Sequence, residues 1–301
     1  MPSITKPLIP LSPLPKNDLG LTIRDYEGQM STLCAGCGHD SVTAAIVHAF
    51  WELSTPPHMI AKLSGIGCSS KTPTYFVRGA HGFNSAHGRM VPIATGAIAA
   101  NRELTYIGIS GDGDSLSIGL GHLMHGIRRN VKMVYIIENN GVYGLTKGQM
   151  SASADIGSRP KKGEANVLAP IDPVMTALSL GATFIARSFS GDKEQLVPIR
   201  AEIRAKIPVD DAIEVTMNDG SVVRFRSVPE GYDPHDRMKV EEYIRDREGR
   251  GEIVTGLLYV DESAKELHEM NATPARALAK LPYASLCPGA AELATMQMDF
   301  R

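Results

Sequence analysis

The chain has 301 residues, 43% of them hydrophobic, and a formal net charge of −2. That length suits one large or two modest domains with ample material for a buried core, and the near-neutral balance gives no electrostatic case for nucleic acid or an anionic membrane surface. No apolar run reaches the length of a membrane span, and Met1 to Asn17 carries prolines where a signal peptide would need an apolar core, so a cytoplasmic setting is expected.

Prolines at 2, 7, 10, 13 and 15 and no helical periodicity predict an extended amino-terminal arm, taken as residues 1–30 and suited to lying on a partner chain. Cys34-Ala35-Gly36-Cys37-Gly38-His39 follows, then an apolar-faced helix over Val42 to Leu53 and a strand over Ile60 to Ser64. That strand ends at the glycine-rich loop Gly65-Ile66-Gly67-Cys68-Ser69-Ser70-Lys71. Four cysteines, at 34, 37, 68 and 287, are too few and too uneven for a disulfide framework. A Cys-x-x-Cys followed by a third cysteine is compatible with zinc, with His39, His81 or His87 as fourth ligand, and with an iron–sulfur cluster. It is equally compatible with a redox dithiol or with buried cysteines of no chemical role, and spacing leaves all four open. His87 and Arg89 follow a glycine-rich stretch, where they either face a ligand or cap a helix.

The most informative stretch is 104–147. Leu104 to Ser110 has the composition of a buried strand, closed by Gly111-Asp112-Gly113-Asp114. From Ser115, Leu116, Leu120, Leu123, Met124 and Ile127 recur at helical spacing, with Arg128 and Arg129 supplying positive charge at the end. Gly119, Gly121 and Gly126 weaken that helix by roughly 1 kcal/mol apiece against alanine, which predicts close approach of another backbone. A second strand, Met133 to Glu138, ends at Asn139-Asn140-Gly141.

Two strands joined through a helix are almost always parallel, so both loops emerge at the same carboxyl edge and Asp112 and Asn140 face one crevice. A carboxylate and an amide oxygen suit magnesium, usually held by one or two protein oxygens plus phosphate and water, and the helix start offers N–H groups to an anion. A diphosphate held through a metal is the chemistry implied. Taken singly, GDGD and NNG read equally as sharp turns.

Together, GDG followed 28 positions after its aspartate by the second residue of an Asn-Asn pair resembles the thiamine diphosphate motif of thiamine-dependent enzymes. The resemblance implies magnesium on Asp112, Asn140 and the main-chain carbonyl of Val142, with Gly67, Gly113 and Asp114 also lining the cofactor. Gly144-Leu145-Thr146-Lys147 is similar to the family's diphosphate-binding loop. CAGCGH, GIGCSSKTPTYF, HGRMVPIATG, GDGDSLSIGLGH and NNGVYGLTKGQ occur in the order found in beta subunits of 2-oxoacid:ferredoxin oxidoreductases, particularly the 2-oxoglutarate type. The similarity runs from about Ser31 to Gln195 and resumes near Val209 through the LCPG segment at 286–289.

That resemblance implies an α/β thiamine diphosphate-binding fold, a mostly parallel sheet flanked by helices with a C-terminal extension. Residues 31–200 are then the cofactor domain and 201–301 the extension. It also implies oxidative decarboxylation of 2-oxoglutarate to succinyl-coenzyme A, with electrons passing through a [4Fe-4S] cluster on Cys34, Cys37 and Cys68 to ferredoxin. Lys71 would meet the distal carboxylate of the substrate, with His87 as a second catalytic candidate. A cation at Lys71 has a physical reading besides, since it would pair with a dianion and discriminate against pyruvate. The glutamate that thiamine needs near its aminopyrimidine ring would come from an alpha subunit. A relative that keeps the fold but has lost redox function, and a thiamine decarboxylase without redox function, remain as alternatives.

The rest of the chain departs from the family in one place. Residues 150–170 are polar and proline-bearing, a loop or lid, followed by a helix over Pro173 to Leu180, a strand over Ala182 to Ser188 and a helix from Asp192 to Leu196. Relatives would continue with a strand and a Ser-Pro-Cys segment carrying the fourth cluster cysteine. Here Leu196-Val197-Pro198-Ile199-Arg200 runs directly into Ala201-Glu202-Ile203-Arg204, so the cluster is expected to be incomplete or labile, with Cys287 in Leu286-Cys287-Pro288-Gly289 a weak substitute. Ala212 to Arg226 alternates around Asn218-Asp219-Gly220, a hairpin signal. Val240 to Arg250 is highly charged, Ile253 to Val260 is expected as an edge strand, and Thr273 to Lys280 as a short helix. This extension is expected to contact a partner.

Overall fold

The computed structural model describes residues 14–160, 163–192, 196, 212–216 and 222–270. The arm up to residue 13, most of the helix expected at Asp192 to Leu196, the junction after Leu196, the hairpin turn at Asn218 to Gly220, the helix at Thr273 to Lys280 and Cys287 all lie outside those residues.

Four strands, β1 (Ile60–Ser64), β2 (His81–Asn84), β3 (Thr105–Gly111) and β4 (Val134–Glu138), form an all-parallel sheet in the order β2-β1-β3-β4. Helices cover both faces, which is why β1 is buried at every position rather than alternating. On one face, Ile46, Val47 and Phe50 of α1 (His39–Glu52) pack with Ile60, Ile107 and Ile109. On the other, Met90, Ala94 and Ile98 of α2 (Met90–Ala100) pack with Ala61, Leu63 and Tyr106. Lys62 is the exception inside this core. Its ammonium donates to the carbonyls of Phe76 at 2.6 Å and Val77 at 2.9 Å, and burial pushes its pKa down to about 8.

Where elements differ from expectation, backbone chemistry supplies the reason. α1 starts at His39, before the expected Val42, because Gly38 at its N-cap adopts φ 86 and lets the chain turn sharply out of the cysteine loop. β2 is exposed at all four positions and α2 has no polar face, so neither carried a periodic signal. The helix expected from Ser115 arrives in two pieces, a π-helical turn over Gly113–Ile118 and α3 (Leu120–Arg128). The break falls at Gly119, where a Cβ would meet the Gly88 Cα at 2.9 Å. Gly126 instead faces the Val91 side chain of α2, and Gly121 has nothing within 4 Å, so of the three glycines Gly119 alone serves the expected close approach of another backbone.

Residues 16–27, expected within the arm, are tied to the chain's own core. Tyr26 is fully buried and its hydroxyl donates to the Thr55 carbonyl at 2.9 Å, while Glu27 bridges to Phe76.

Beyond β4, β5 (Val142–Tyr143) and β6 (Gln149–Met150) pair antiparallel. A second sheet has the order β7-β10-β9-β8, from β7 (Phe184–Arg187), β8 (Ala212–Thr216), β9 (Val222–Ser227) and β10 (Glu252–Val260). β8 and β9 are antiparallel neighbours, as the hairpin signal requires. β10, expected at an edge, is instead interior, antiparallel to β7 and parallel to β9. Val254 and Leu258, both fully buried, join a core with Val174 and Leu178 of α4 (Pro173–Ser179) and Val240 and Ile244 of α5 (Arg237–Gly249). The charged stretch is thus a surface helix that buries one i,i+4 pair. This sheet takes β7 from the 31–200 span and its other strands from 201–301. No helix among the described residues is long and apolar enough to cross a membrane.

Candidate functional site

The site grows from the parallel register of β3 and β4, which sets Gly111 beside Glu138 and so delivers the loops after both strands to one edge. There the backbone N–H of Asn140 points at Asp112 Oδ1 from 3.4 Å, and Asn140 Oδ1 accepts from the Val142 N–H at 3.1 Å. Asp112 is 1% exposed, its Oδ2 accepting from the hydroxyls of Ser151 and, at 2.8 Å, Ser153. A buried carboxylate and an amide oxygen on two adjoining loops are oxygen donors of the kind that fits magnesium.

Asp114 is engaged differently. Its carboxylate accepts from Ser110 Oγ at 2.6 Å, from the Gly88 N–H at 2.7 Å and from His87 Nδ1. It therefore holds the loop carrying His87 rather than facing the crevice. His87 is tied through Nδ1 to that carboxylate, its ring edge-on to Tyr143 at 6.3 Å. Arg89 is exposed and reaches only the carbonyls of His87 and Gly88, at 3.4 Å. Gly113 is required by contact, because a Cβ there would lie 2.6 Å from the Tyr143 ring, whose hydroxyl donates to the Gly113 carbonyl at 3.0 Å.

The cysteine loops meet the diphosphate-type loop. A Cβ on Gly144 would lie 3.4 Å from Cys68 Sγ, next to exposed Leu145 and Thr146, whose hydroxyl is held by Gln149 Oε1 at 2.5 Å. Gly67, in the same loop as Cys68, has φ +128, open to glycine alone. Burial pushes the Cys68 thiol up, Lys71 opposes this, and Cys34 and Cys37 add to it, so the three sulfurs and Lys71 share one electrostatic neighbourhood. His81 Nε2 instead engages the His58 carbonyl at 3.1 Å. Among the described residues, no group of three or more His, Cys, Asp or Glu side chains could hold a metal ion unaided. Cys34, Cys37 and Cys68 are the free thiols among the described residues, and a cubane normally takes four.

Sequence reasoning missed the buried polar seam beneath these loops. His39 Nδ1 contacts Cys37 Sγ at 3.1 Å, and its Nε2 lies 3.2 Å from Ser69 Oγ and 3.5 Å from Glu138 Oε2. Thr72 Oγ1 donates to the Glu138 carboxyl at 3.2 Å. The His39–Glu138 distance would suit an ion pair. Burial nevertheless pushes the carboxyl pKa up to about 8 and the imidazole down, so the pair is neutral near pH 7. The only signal for it in the sequence was a lone glutamate ending an apolar strand. Ser151 and Ser153 were hidden in a loop of ordinary polarity.

The seam makes a stability prediction for the chain without ligands. Folded Glu138 keeps its proton from about pH 4.5 to about 8 while the unfolded chain has released it, so stability falls as pH rises across that window. Glu138→Gln should remove this fall. Urea unfolding at pH 5 and pH 8 should show the variant gaining on the parent by on the order of 3 kcal/mol between the two values, and a constant difference would contradict it.

Residues 65–209 match the thiamine pyrophosphate enzyme C-terminal TPP-binding domain. A 2-oxoacid:ferredoxin oxidoreductase beta subunit of Saccharolobus solfataricus is 41% identical over 167 residues, 55% of this chain and 55% of its own. The 2-oxoglutarate oxidoreductase subunit KorB of Mycobacterium tuberculosis is 38% identical over 200 residues, 66% of this chain and 52% of its own. The aligned chain thus spans about half the length of these curated relatives. Among solved structures, a 2-oxoglutarate:ferredoxin oxidoreductase from Magnetococcus marinus, with 2-oxoglutarate, coenzyme A and succinyl-CoA bound, superposes with a TM-score of 0.75 at 29% identity, covering 91% of this chain and 98% of that one. The paired loops, the matched domain and these relatives together make the chain similar to 2-oxoacid:ferredoxin oxidoreductase beta subunits, and the domain it shares with them is the TPP-binding one.

Proposed function

We propose that the chain is the thiamine diphosphate-binding beta subunit of an oxidoreductase that decarboxylates 2-oxoglutarate, with coenzyme A as acyl acceptor and ferredoxin as electron acceptor. The observation that carries this reading is the meeting of Asp112 and Asn140 at one sheet edge, beside a glycine loop that touches Cys68. Asp112, Asn140 and the Val142 carbonyl would hold magnesium, and the backbone N–H groups of Gly144, Leu145 and Thr146 would take the diphosphate. Thiamine diphosphate, when bound, supplies the carbanion chemistry of decarboxylation, and the chain's own residues orient and charge-match the reactants. His87, fixed through Asp114, would offer Nε2 as a group able to hold or move a proton. Lys71, one turn beyond Cys68, would pair with the distal carboxylate of the substrate.

An alpha subunit is part of this reading, because no glutamate of this chain stands in a motif like that of the thiamine-activating site. A redox-poor relative is the second reading, and it has its own support: only Cys34, Cys37 and Cys68 among the described residues offer thiols.

Calorimetry on the full chain tests the cofactor site. Asp112→Ala should abolish magnesium-dependent thiamine diphosphate binding, and undiminished binding would sink the assignment. With the partner subunit present, Lys71→Ile should cut the preference for 2-oxoglutarate over pyruvate by about 1–3 kcal/mol in kcat/KM; an unchanged ratio would remove Lys71 from substrate recognition. Anaerobic iron and sulfide counts separate the two readings. The missing fourth thiol leads us to expect clearly fewer than four of each per chain, and four of each, unchanged in Cys287→Ala, would overturn that expectation.

A further inference from the structure

The two oxygens of Asp112 are not equivalent. Among the described residues, Oδ2 accepts from Ser151 Oγ and from Ser153 Oγ at 2.8 Å, whereas Oδ1 has the Asn140 N–H at 3.4 Å alone, a long contact that leaves its lone pairs largely uncommitted. Both hydroxyls are themselves held. The two Oγ atoms lie 2.9 Å apart, the Ser153 N–H donates to Ser151 Oγ at 3.2 Å, and Ser153 Oγ lies 2.9 Å from Asn139 Oδ1, which competes with Asp112 Oδ2 for its single proton. The segment is pinned on either side, since the Ser151 N–H donates to the Gly141 carbonyl at 3.0 Å and the Ala152 N–H to Ser117 Oγ at 3.0 Å. A hydroxyl pair fixed to the π-helical turn and to the Asn-Asn loop therefore grips one oxygen of a 1% exposed carboxylate and leaves the other to the long Asn140 N–H contact.

The geometry points to Ser151 and Ser153 as positioning residues that make Asp112 a one-oxygen ligand, through Oδ1, and so set the site for magnesium against larger cations. This deepens the proposed function and rests on its magnesium assignment. The physical ground is coordination preference. Magnesium demands near-octahedral geometry at about 2.1 Å, while calcium takes longer bonds, more ligands and bidentate carboxylates. A carboxylate whose second oxygen is already occupied by two donors cannot chelate through both without losing them. Removing the donors frees Oδ2, which hurts magnesium by loss of orientation and hurts calcium less, because the bidentate mode opens.

The test is calorimetric titration of magnesium and, separately, calcium into the full-length chain with saturating thiamine diphosphate, for the parent, Ser151→Ala/Ser153→Ala, Ser153→Thr and Asp112→Ala. The double variant should weaken magnesium by about tenfold or more, the usual scale for groups that orient a metal ligand. Calcium should weaken less, so the magnesium-to-calcium ratio falls, and Ser153→Thr, which keeps its hydroxyl, should stay near the parent. A merely structural role would lower both cations together. Equal losses, or an unchanged magnesium affinity in the double variant while Asp112→Ala abolishes binding, would overturn the inference and leave the cofactor assignment standing; a parent chain that binds neither cation would overturn both.

Discussion

Two carboxylates two residues apart, Asp112 and Asp114, are buried to 1% and 2% exposure at the end of β3, and the loops gathered there are what satisfy them. An unpaired buried carboxylate costs several kcal/mol, so each must recruit donors from whatever chain can reach it. Asp114 recruits Ser110, Gly88 and His87, which ties the loop before α2 to the strand end. Asp112 recruits Ser151, Ser153 and the Asn140 backbone, which ties the loops after β4 and β6 to the same point. Glycines then become obligatory where those loops crowd the carboxylates. A Cβ at Gly65 would lie 2.0 Å from Asp114 Oδ2, and one at Gly88 would lie 2.7 Å from the Gly119 nitrogen.

This division of labour explains what the sequence made legible. The strand–helix–strand pattern and the two polar loops were readable because parallel pairing through a helix admits one outcome, and β3 with β4 realises it in register. Asp112 and Asn140 came together for that reason alone. Asp114 shows the limit, because a motif lists residue types and cannot say which carboxylate turns inward. That choice depends on Gly88 and His87, more than twenty positions upstream in a stretch whose helix, α2, had no amphipathic signal to announce it.

What stayed illegible shares a physical cause: pairing over long sequence separation that leaves no local trace. β10 resembled an edge strand in isolation and became interior because β7 and β9, from distant parts of the chain, found both its sides. Lys62 sits in an apolar strand because its ammonium donates to the Phe76 and Val77 carbonyls, more than a dozen positions away. Val77 has φ 35, a strained value for a β-branched residue, and the Lys62 ammonium helps hold it there.

The polar seam places the metal loop and the cysteine loops on one support. Glu138 is the last residue of β4 and is followed directly by Asn139 and Asn140. Its carboxyl meets Thr72 and lies 3.5 Å from His39, which in turn contacts Cys37. The cysteine loops and the base of the Asn-Asn loop are therefore joined through the side chains of His39, Thr72 and Glu138. In a buried, close-packed setting each of these contacts matters, because a broken hydrogen bond there has little water to replace it. The second sheet takes no part in this seam. Its core is closed by α4, α5 and β7, leaving the candidate site to residues between Cys34 and Ser153.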